Sequence, residues 1–592
     1  MVTKVPLSCL YRRGRPLETV QHPRRPTREI GEPTGDSRRN RPANFSMRKY
    51  YRFVEGFRRF AKQRMTPEEA IALAKSSIKK RVAARDENFL NFVEKGVFQY
   101  SSSPYLKLLE PKRIHFDDLK NWVAKDGIEG SLRTLESEGV YFTVDEFKGK
   151  VPVVRNGAEF WCKEGMFDNP FLSYVYEVRS GATRSAGTRV RIDFDYLHQR
   201  SLYDALLLSI HGCLQAPIAN WFPVFPGAPG INSSLRFAHI GNPARRWFSQ
   251  VPEDRLNVNW EKKWGTKLIF TLGKLHGCPL AEPEYVPLDD ALKVAKWAAD
   301  ALQENERCVV YTFAASAVRI CIAAADNNLN IKGTKFLVTG EPLTPQKRKE
   351  IEALGACAVP VYGISEAGVI AAGCDQAHTE SDHCHLYKDT TAIISHRQIV
   401  PHSDLFVDSY LFTTLLYESP KLLLNVGMGD YGNLSEQDCG CTFGQVGFST
   451  HLSGIRSYEK LTGEGVTFVD TDFVRIIERE LPERFGGKST DYQLVEKEDS
   501  RGLTHLQLLV SPRVGEIQDT KVLDTFLNLL KRAEDSPESW SQSGTEMWKQ
   551  SNMVQIVREF PIATASGKIL PFFVSKSKSV PSAERSTVSQ KI

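Results

Sequence analysis

The chain has 592 residues, 41% apolar and 25% charged, with a net charge of +6. These values sit near the globular average and exclude collagen-like, wholly disordered and disulfide-scaffold classes. At roughly 150 residues per domain the length suits several domains, or one large α/β domain with a small companion.

The charge excess is local. Residues 1–46 hold nine Arg and one Lys against four acids. The remainder is neutral overall, so nucleic acid is not an expected partner. This Arg- and Pro-rich stretch, with no periodicity, reads as a disordered basic tail. A misassigned start codon would explain it. A basic targeting peptide, or a tail that binds nucleic acid, is the alternative.

Met47 then opens a helical pattern. Thr66-Pro67-Glu68-Glu69 is a capping box that starts a long helix to about Arg85. From Tyr141 to Arg200 short apolar runs alternate with turns, and helices and strands then alternate to about residue 430. Lys335–Thr339 is a predicted buried strand. Thr344-Pro345 caps a predicted helix that runs to Leu354 and stops at Gly355, and Cys357–Tyr362 is the next strand. That order argues for an α/β layer. The text changes again near Gly454. Strands are expected at Gln493–Val495 and Leu506–Val510, with two helices, in a small α+β domain ending near Ser577. Residues 578–592 read as a disordered tail.

No segment reads as membrane-spanning. Cys308–Ala325 comes closest, but it contains Arg319. Eleven cysteines without an apolar signal segment point to reduced thiols or metal ligands in the cytoplasm.

Three stretches carry candidate chemistry. Ser180-Gly181-Ala182-Thr183-Arg184-Ser185-Ala186-Gly187-Thr188-Arg189 offers amides and hydroxyls that could hold phosphate. It is not a Walker loop, and an ordinary surface loop has the same composition. Gly340-Glu341-Pro342 follows a predicted strand, where open α/β sheets bind ligands, or where a plain turn would also sit. Tyr362-Gly363-Ile364-Ser365-Glu366-Ala367-Gly368 follows the next strand. Glu366 is either a ligand for a hard cation such as Mg²⁺ or an exposed turn acid.

In this order and spacing the three stretches resemble the adenylate-forming (acyl-CoA synthetase-like) superfamily. Two later stretches agree. Gly429-Asp430-Tyr431-Gly432 is similar to that family's Thr-Gly-Asp, and Thr564-Ala565-Ser566-Gly567-Lys568-Ile569 to its Gly-Lys loop. Within it, the phenylacetate–CoA ligase-like branch looks closest. Ser102-Ser103-Pro104-Tyr105 and Cys439-Gly440-Cys441 resemble its motifs loosely, as does Gly454-Ile455-Arg456 leading to Gly465. Tyr458-Glu459 replaces the usual acidic hinge pair, and Arg184 stands where a small residue is usual.

The resemblance implies an α/β fold: a large N-terminal adenylation domain of several subdomains over 47–454, with mixed sheets and helices, and a small mobile C-terminal α+β domain over 455–577. It implies a ligase that converts a carboxylic acid and ATP to an acyl-adenylate, releases pyrophosphate, and passes the acyl group to CoA. A carrier-protein pantetheine or an amine is the alternative acceptor, and a nucleotide-binding relative without turnover the alternative role. Ser180, Gly181, Thr183, Ser185, Gly187 and Thr188 would hold the phosphates. Gly340, Glu341, Pro342, Tyr362 and Gly363 would border the nucleotide, Asp430 would hold the ribose, and Arg456 the ribose or α-phosphate. Lys568, Glu366 (with Mg²⁺) and Ser365 would be catalytic. An acid pocket near Trp221–Phe225, Phe237–Ile240 and Ala314–Val318 would favour an aromatic or apolar acid. A homodimer stays open.

Cys374, His378, His383, Cys384, His385, Cys439 and Cys441 offer the thiolates and imidazoles of a structural Zn²⁺. By resemblance the set is Cys374, His385, Cys439 and Cys441, with Cys384 or His378 as substitutes. Reduced cysteines and a His-rich loop without metal remain the alternative.

Overall fold

The computed structural model describes residues 43–155, 157–173, 175–179, 188–224, 229–252, 260–399, 406–457, 460–463, 466–469, 475–532, 548, 550–562 and 572–574. Residues 50–592 form one compact unit. Of residues 1–49 only the start of the helix Ala43–Lys62 is described.

A twelve-stranded sheet organises the chain. Six strands are mutually parallel, in the spatial order Pro283–Tyr285, Arg246–Ser249, Ile218–Trp221, Cys308–Phe313, Thr334–Thr339 and Cys357–Ile364. Ile218–Trp221 and Cys308–Phe313 are buried along their whole length, as strands covered on both faces must be. Chain order reverses between these two strands. Such a switch point opens a crevice outside the carboxyl ends, where open α/β sheets take their ligands.

The sheet then changes character. Cys357–Ile364 pairs antiparallel with Gly368–Ala372, and the sheet continues through Cys384–Leu386, Thr450–Ser457, Val426–Glu436, Phe406–Thr414 and Thr391–Ile399, every pair antiparallel. The sequence reading expected helices to alternate with strands to about residue 430. They do so only to Ile364, because the connections beyond are too short for crossover helices.

The predicted local signals mostly hold. Thr66 caps Pro67–Ala83 in a reciprocal box, its hydroxyl accepting from Glu69 N at 3.2 Å while the Glu69 carboxylate accepts from Thr66 N at 2.9 Å. Pro345–Glu352 follows the Thr344 cap, and Gly355 takes the left-handed φ of +71° just beyond it. The helix around Met47 begins earlier, at Ala43.

Helices Phe194–Ile210, Pro229–His239, Ala291–Glu304 and Ala314–Asp326 cover the parallel half. Trp221, Phe222 and Phe237 lie wholly inside this core. The antiparallel half has its own core, in which Phe89, Leu119 and Leu132 from N-terminal helices meet Tyr410 and Phe412.

C-terminally, a four-stranded sheet runs in the order Val554–Val557, Thr504–Val510, Tyr492–Glu498, Phe572–Val574, with the helix Asp519–Arg532 beside it. Its Leu494, Leu506, Phe526 and Trp548 are buried in the same cluster as Trp221. Polar contacts add to this seam: Arg319 Nη2 donates to Ser551 O at 3.1 Å, and Lys347 Nζ to Thr504 Oγ1 at 3.2 Å. Among the described residues no helix is long and apolar enough to cross a membrane.

Candidate active site and cysteine–histidine centre

Val175–Arg179 and Arg189–Asp193 pair antiparallel, with Arg179 opposite Arg189. The candidate phosphate stretch lies between these two paired strands in sequence. Ser180, Gly181, Thr183, Ser185 and Gly187 lie outside the described residues, whereas Thr188 is described and buried. The start of the second strand is anchored. Arg189 N donates to Glu164 Oε1 at 3.0 Å, and the Arg189 guanidinium pairs with Asp168 and, at 3.3 Å, with Glu177. Lys421, with its side chain fully buried, adds a 2.8 Å contact to Asp168. Burial pulls the Arg189 guanidinium down, but the two carboxylates outweigh it and raise it overall.

Gly340, at φ +80°, turns the chain out of the strand Thr334–Thr339. Glu341 then points inward. Its side chain is fully buried, accepts from Ala315 N at 2.8 Å and pairs with Lys347 Nζ at 3.1 Å. The first contact satisfies an amide at the start of the helix Ala314–Asp326, so Glu341 ties the Gly340 turn to that helix. Lys347, also buried, reaches Pro342 O at 3.4 Å as well as Thr504.

At the next strand end, Tyr362 OH donates to Asp430 Oδ2 at 2.8 Å, joining residues 68 apart in sequence. Burial first, and then the Asp430 charge, raise the Tyr362 phenol well above its ordinary range. The following turn is tightly fixed. Ala367 N donates to Ile364 O at 3.2 Å, and Tyr196 OH to Ala367 O at 2.9 Å. Gly368 has φ +76°, and a Cβ there would fall on the Tyr196 hydroxyl, so glycine is required. Ser365 is exposed on this turn. Glu366 is only 7% exposed and has no hydrogen-bond or ion-pair partner among the described residues.

Arg456 pairs with Asp382 at 3.0 Å. Asp382 also accepts from Gly454 N at 2.8 Å and Ile455 N at 2.9 Å, clamping the backbone that leads out of the sheet. Sequence reasoning missed Asp382, Lys347 and Tyr196. Each acts through a partner far along the chain, and no local spacing marks them. Tyr458, Glu459, Gly465 and Lys568 lie outside the described residues.

The second cluster assembles from the antiparallel half. The ligand atoms of Cys374, His385, Cys439 and Cys441 all lie within 4.8 Å of one another. Cys439 Sγ and Cys441 Sγ are each 3.3 Å from His385 Nε2. His385 Nδ1 is 2.7 Å from Phe448 O, which fixes its proton there and leaves the Nε2 lone pair facing the sulfurs. Gly444 N donates to Cys441 Sγ at 3.4 Å. Hydrogen bonding to Cys374 first, then to His385, the Gly444 amide and Cys439, lowers the Cys441 thiol, and the same contact raises Cys374.

The proposed substitutes are not among these four. Cys384 Sγ lies 3.8 Å from Pro360 O. His378 Nε2 touches Cys374 at 3.2 Å from outside and stacks on His383, ring centroids 3.6 Å apart. Burial pushes His383 and His451 down to about 4, so this imidazole shell is neutral at pH 7.

No protein-family model matches the sequence, and no curated protein is significantly similar to it. The chain matches several solved structures at low identity. The chain matches 2-hydroxyisobutyryl-CoA ligase in complex with 2-HIB-AMP and CoA at 14% identity, covering 83% of this chain and 90% of that one, with a TM-score of 0.44. It matches the amide bond synthetase McbA from Marinactinospora thermotolerans at 13% identity, covering 71% of each chain, with a TM-score of 0.37. A malonyl-CoA ligase with methylmalonyl-CoA and AMP bound matches at 9% identity, covering 73% of this chain and 88% of that one, also with a TM-score of 0.37.

Proposed function

We propose that this chain is an AMP-forming ligase that activates a carboxylic acid with ATP and passes the acyl group to the thiol of CoA. The observation that carries the reading is the strand-end arrangement at the carboxyl edge of the parallel half. There Asp430 is held by Tyr362, and the buried carboxylate of Glu366 has no partner among the described residues.

A carboxylate is a poor electrophile, and its attack on the α-phosphorus brings two anions together. One carboxylate oxygen bonds to that phosphorus as the bond to the bridging oxygen breaks, and pyrophosphate leaves with the electron pair. The thiolate of the acceptor then attacks the acyl carbon and AMP departs. Preorganised positive charge is what lowers the first barrier. Lys568 is assigned that role, on the small C-terminal region over 455–577 that would rotate between the two steps. Asp430 accepts from the ribose hydroxyls, and the stretch Ser180–Thr188 holds the outer phosphates. Mg²⁺ fits at Glu366, since a buried carboxylate without a protein partner is what one or two-carboxylate magnesium sites offer. It would neutralise phosphate charge there.

Zn²⁺ fits the second cluster. A tetrahedron with Zn–S of about 2.3 Å and Zn–N of about 2.0 Å needs three sulfurs and one imidazole nitrogen at this mutual spacing. Four protein ligands leave no position for water, so its role would be structural. It would tie the segment after Ala372 to the Cys439–Cys441 turn.

The test is pyrophosphate release by the full chain with ATP, Mg²⁺ and a panel of carboxylic acids, with hydroxylamine as acceptor. Release that needs one class of acid is the expected result. Release without any acid, or none with ATP bound, would overturn the reading. Product analysis with CoA and with amines then separates the two acceptors.

A further inference from the structure

We propose that the acid bound by this chain carries a second anionic group, remote from the reacting carboxylate, and that Arg200 binds it. The inference rests on the activation reading above and names its substrate class.

Arg200 lies on the helix Phe194–Ile210 and is 3% exposed. Its guanidinium sits over the ring faces of Tyr203 at 4.5 Å and Tyr387 at 5.3 Å. Among the described residues it has no ion pair and no hydrogen bond. Its neighbours do not share this state. Arg81 pairs with Asp389 at 2.9 Å, and Arg236 with Asp204 at 2.5 Å, although Asp204 is one turn along from Arg200 on the same helix. Asp389 turns one oxygen to Arg81 and Tyr203, and its other oxygen meets no donor, Arg200 included. Arg81, Arg200 and Arg236 therefore share two paired carboxylates. The Tyr387 hydroxyl, on a residue 1% exposed, also has no partner among the described residues.

A buried cation left unpaired is costly, and ring faces return only part of its lost hydration. The flat guanidinium fork is built to take a carboxylate at two points. Its position relates it to the strand-end site. Tyr196, four residues earlier on the same helix face, donates to Ala367 O beside Glu366. Four residues of helix span about 6 Å. Arg200 thus lies one helical turn beyond the residue that touches the turn carrying Glu366. An acid with a second anionic group departs from the apolar acid expected from sequence, whose aromatic residues Trp221, Phe222 and Phe237 are spent on the core.

The experiment is calorimetric titration of the full chain, with a non-hydrolysable ATP analogue present. The ligands are dicarboxylic acids with two to six carbons between the carboxyl groups, and monocarboxylic acids of matched length. One diacid is expected to bind at least about tenfold tighter than its match. Arg200→Leu should erase that ratio and Arg200→Lys should keep part of it. Should Arg200→Leu not fold, two further measurements decide. Tyr387→Phe should weaken the diacid alone by a few fold, and an ammonium in place of the distal carboxylate should abolish binding to the unaltered chain. Equal binding of both acid classes, no diacid binding, or a preference unchanged in Arg200→Leu would overturn the proposal. Pyrophosphate release reads the activation step separately. Release with monocarboxylic acids alone overturns Arg200's role and spares activation. An Arg200-dependent diacid that binds without release supports the site and counts against activation.

Discussion

The Cys/His centre and the strand-end site are both built from buried polar groups, yet they are satisfied in opposite ways. In the centre, three sulfurs and one imidazole nitrogen face one another, and even the far side of His385 is tied to Phe448 O. At the strand ends, the fixed members brace the site from behind: Glu341 on Lys347, Asp382 on Arg456, Tyr362 on Asp430. Glu366 and Arg200 are left without an ion-pair or hydrogen-bond partner among the described residues. A group that holds the fold together spends its bonding capacity inside the protein. A group that serves a ligand keeps that capacity back, at a cost in stability.

The contrast can be broken from either side. The largest expected effect is on stability. Lys347→Met leaves Glu341 buried without its cation, a change that costs about 3–5 kcal/mol in comparable pairs. Chemical denaturation should show it, and an unchanged midpoint would place water against Glu341. Lys568→Ala should abolish adenylation but leave acyl transfer from a preformed adenylate mostly intact, read by separate half-reaction assays; equal loss of both would remove its assigned role.

Asp430→Ala should weaken ATP binding by roughly 10–100-fold, since charge-assisted bonds are each worth about 1.5–3 kcal/mol. Calorimetry checks this, and unchanged affinity would take Asp430 out of the site. For the centre, metal analysis should find about one zinc per chain. Cys441→Ser should lose it and lower the melting temperature, whereas full occupancy in that variant would exclude Cys441 as a ligand. Tyr362→Phe is the mildest. It removes one donor to Asp430 and should cost about 1 kcal/mol of ATP affinity, several-fold at most.

Much of the centre was legible in the chain. Cys439-Gly440-Cys441 and the Cys374–His385 run announce thiolate and imidazole ligands by type and spacing, and the resemblance selected the four that converge. Part of the parallel half was legible too, because the Thr344-capped helix and the strands at 335–339 and 357–362 carry their signals locally. The antiparallel half was not. Gly368–Ala372 and Cys384–Leu386 are short strands whose pairing depends on turn geometry. Nor were the bracing partners. Tyr196 with Ala367, and Asp382 with Gly454, meet across separations that no local pattern encodes. Glu341 illustrates the limit: the motif marks it, but not its burial against Lys347 and the Ala315 amide.

The most direct test of the central claim is acid-dependent exchange of labelled pyrophosphate into ATP, measured with the full chain and with Lys568→Ala. The account predicts exchange that requires both an acid and Mg²⁺ and is lost in the variant. Exchange that needs no acid, or that survives Lys568→Ala unchanged, would contradict it.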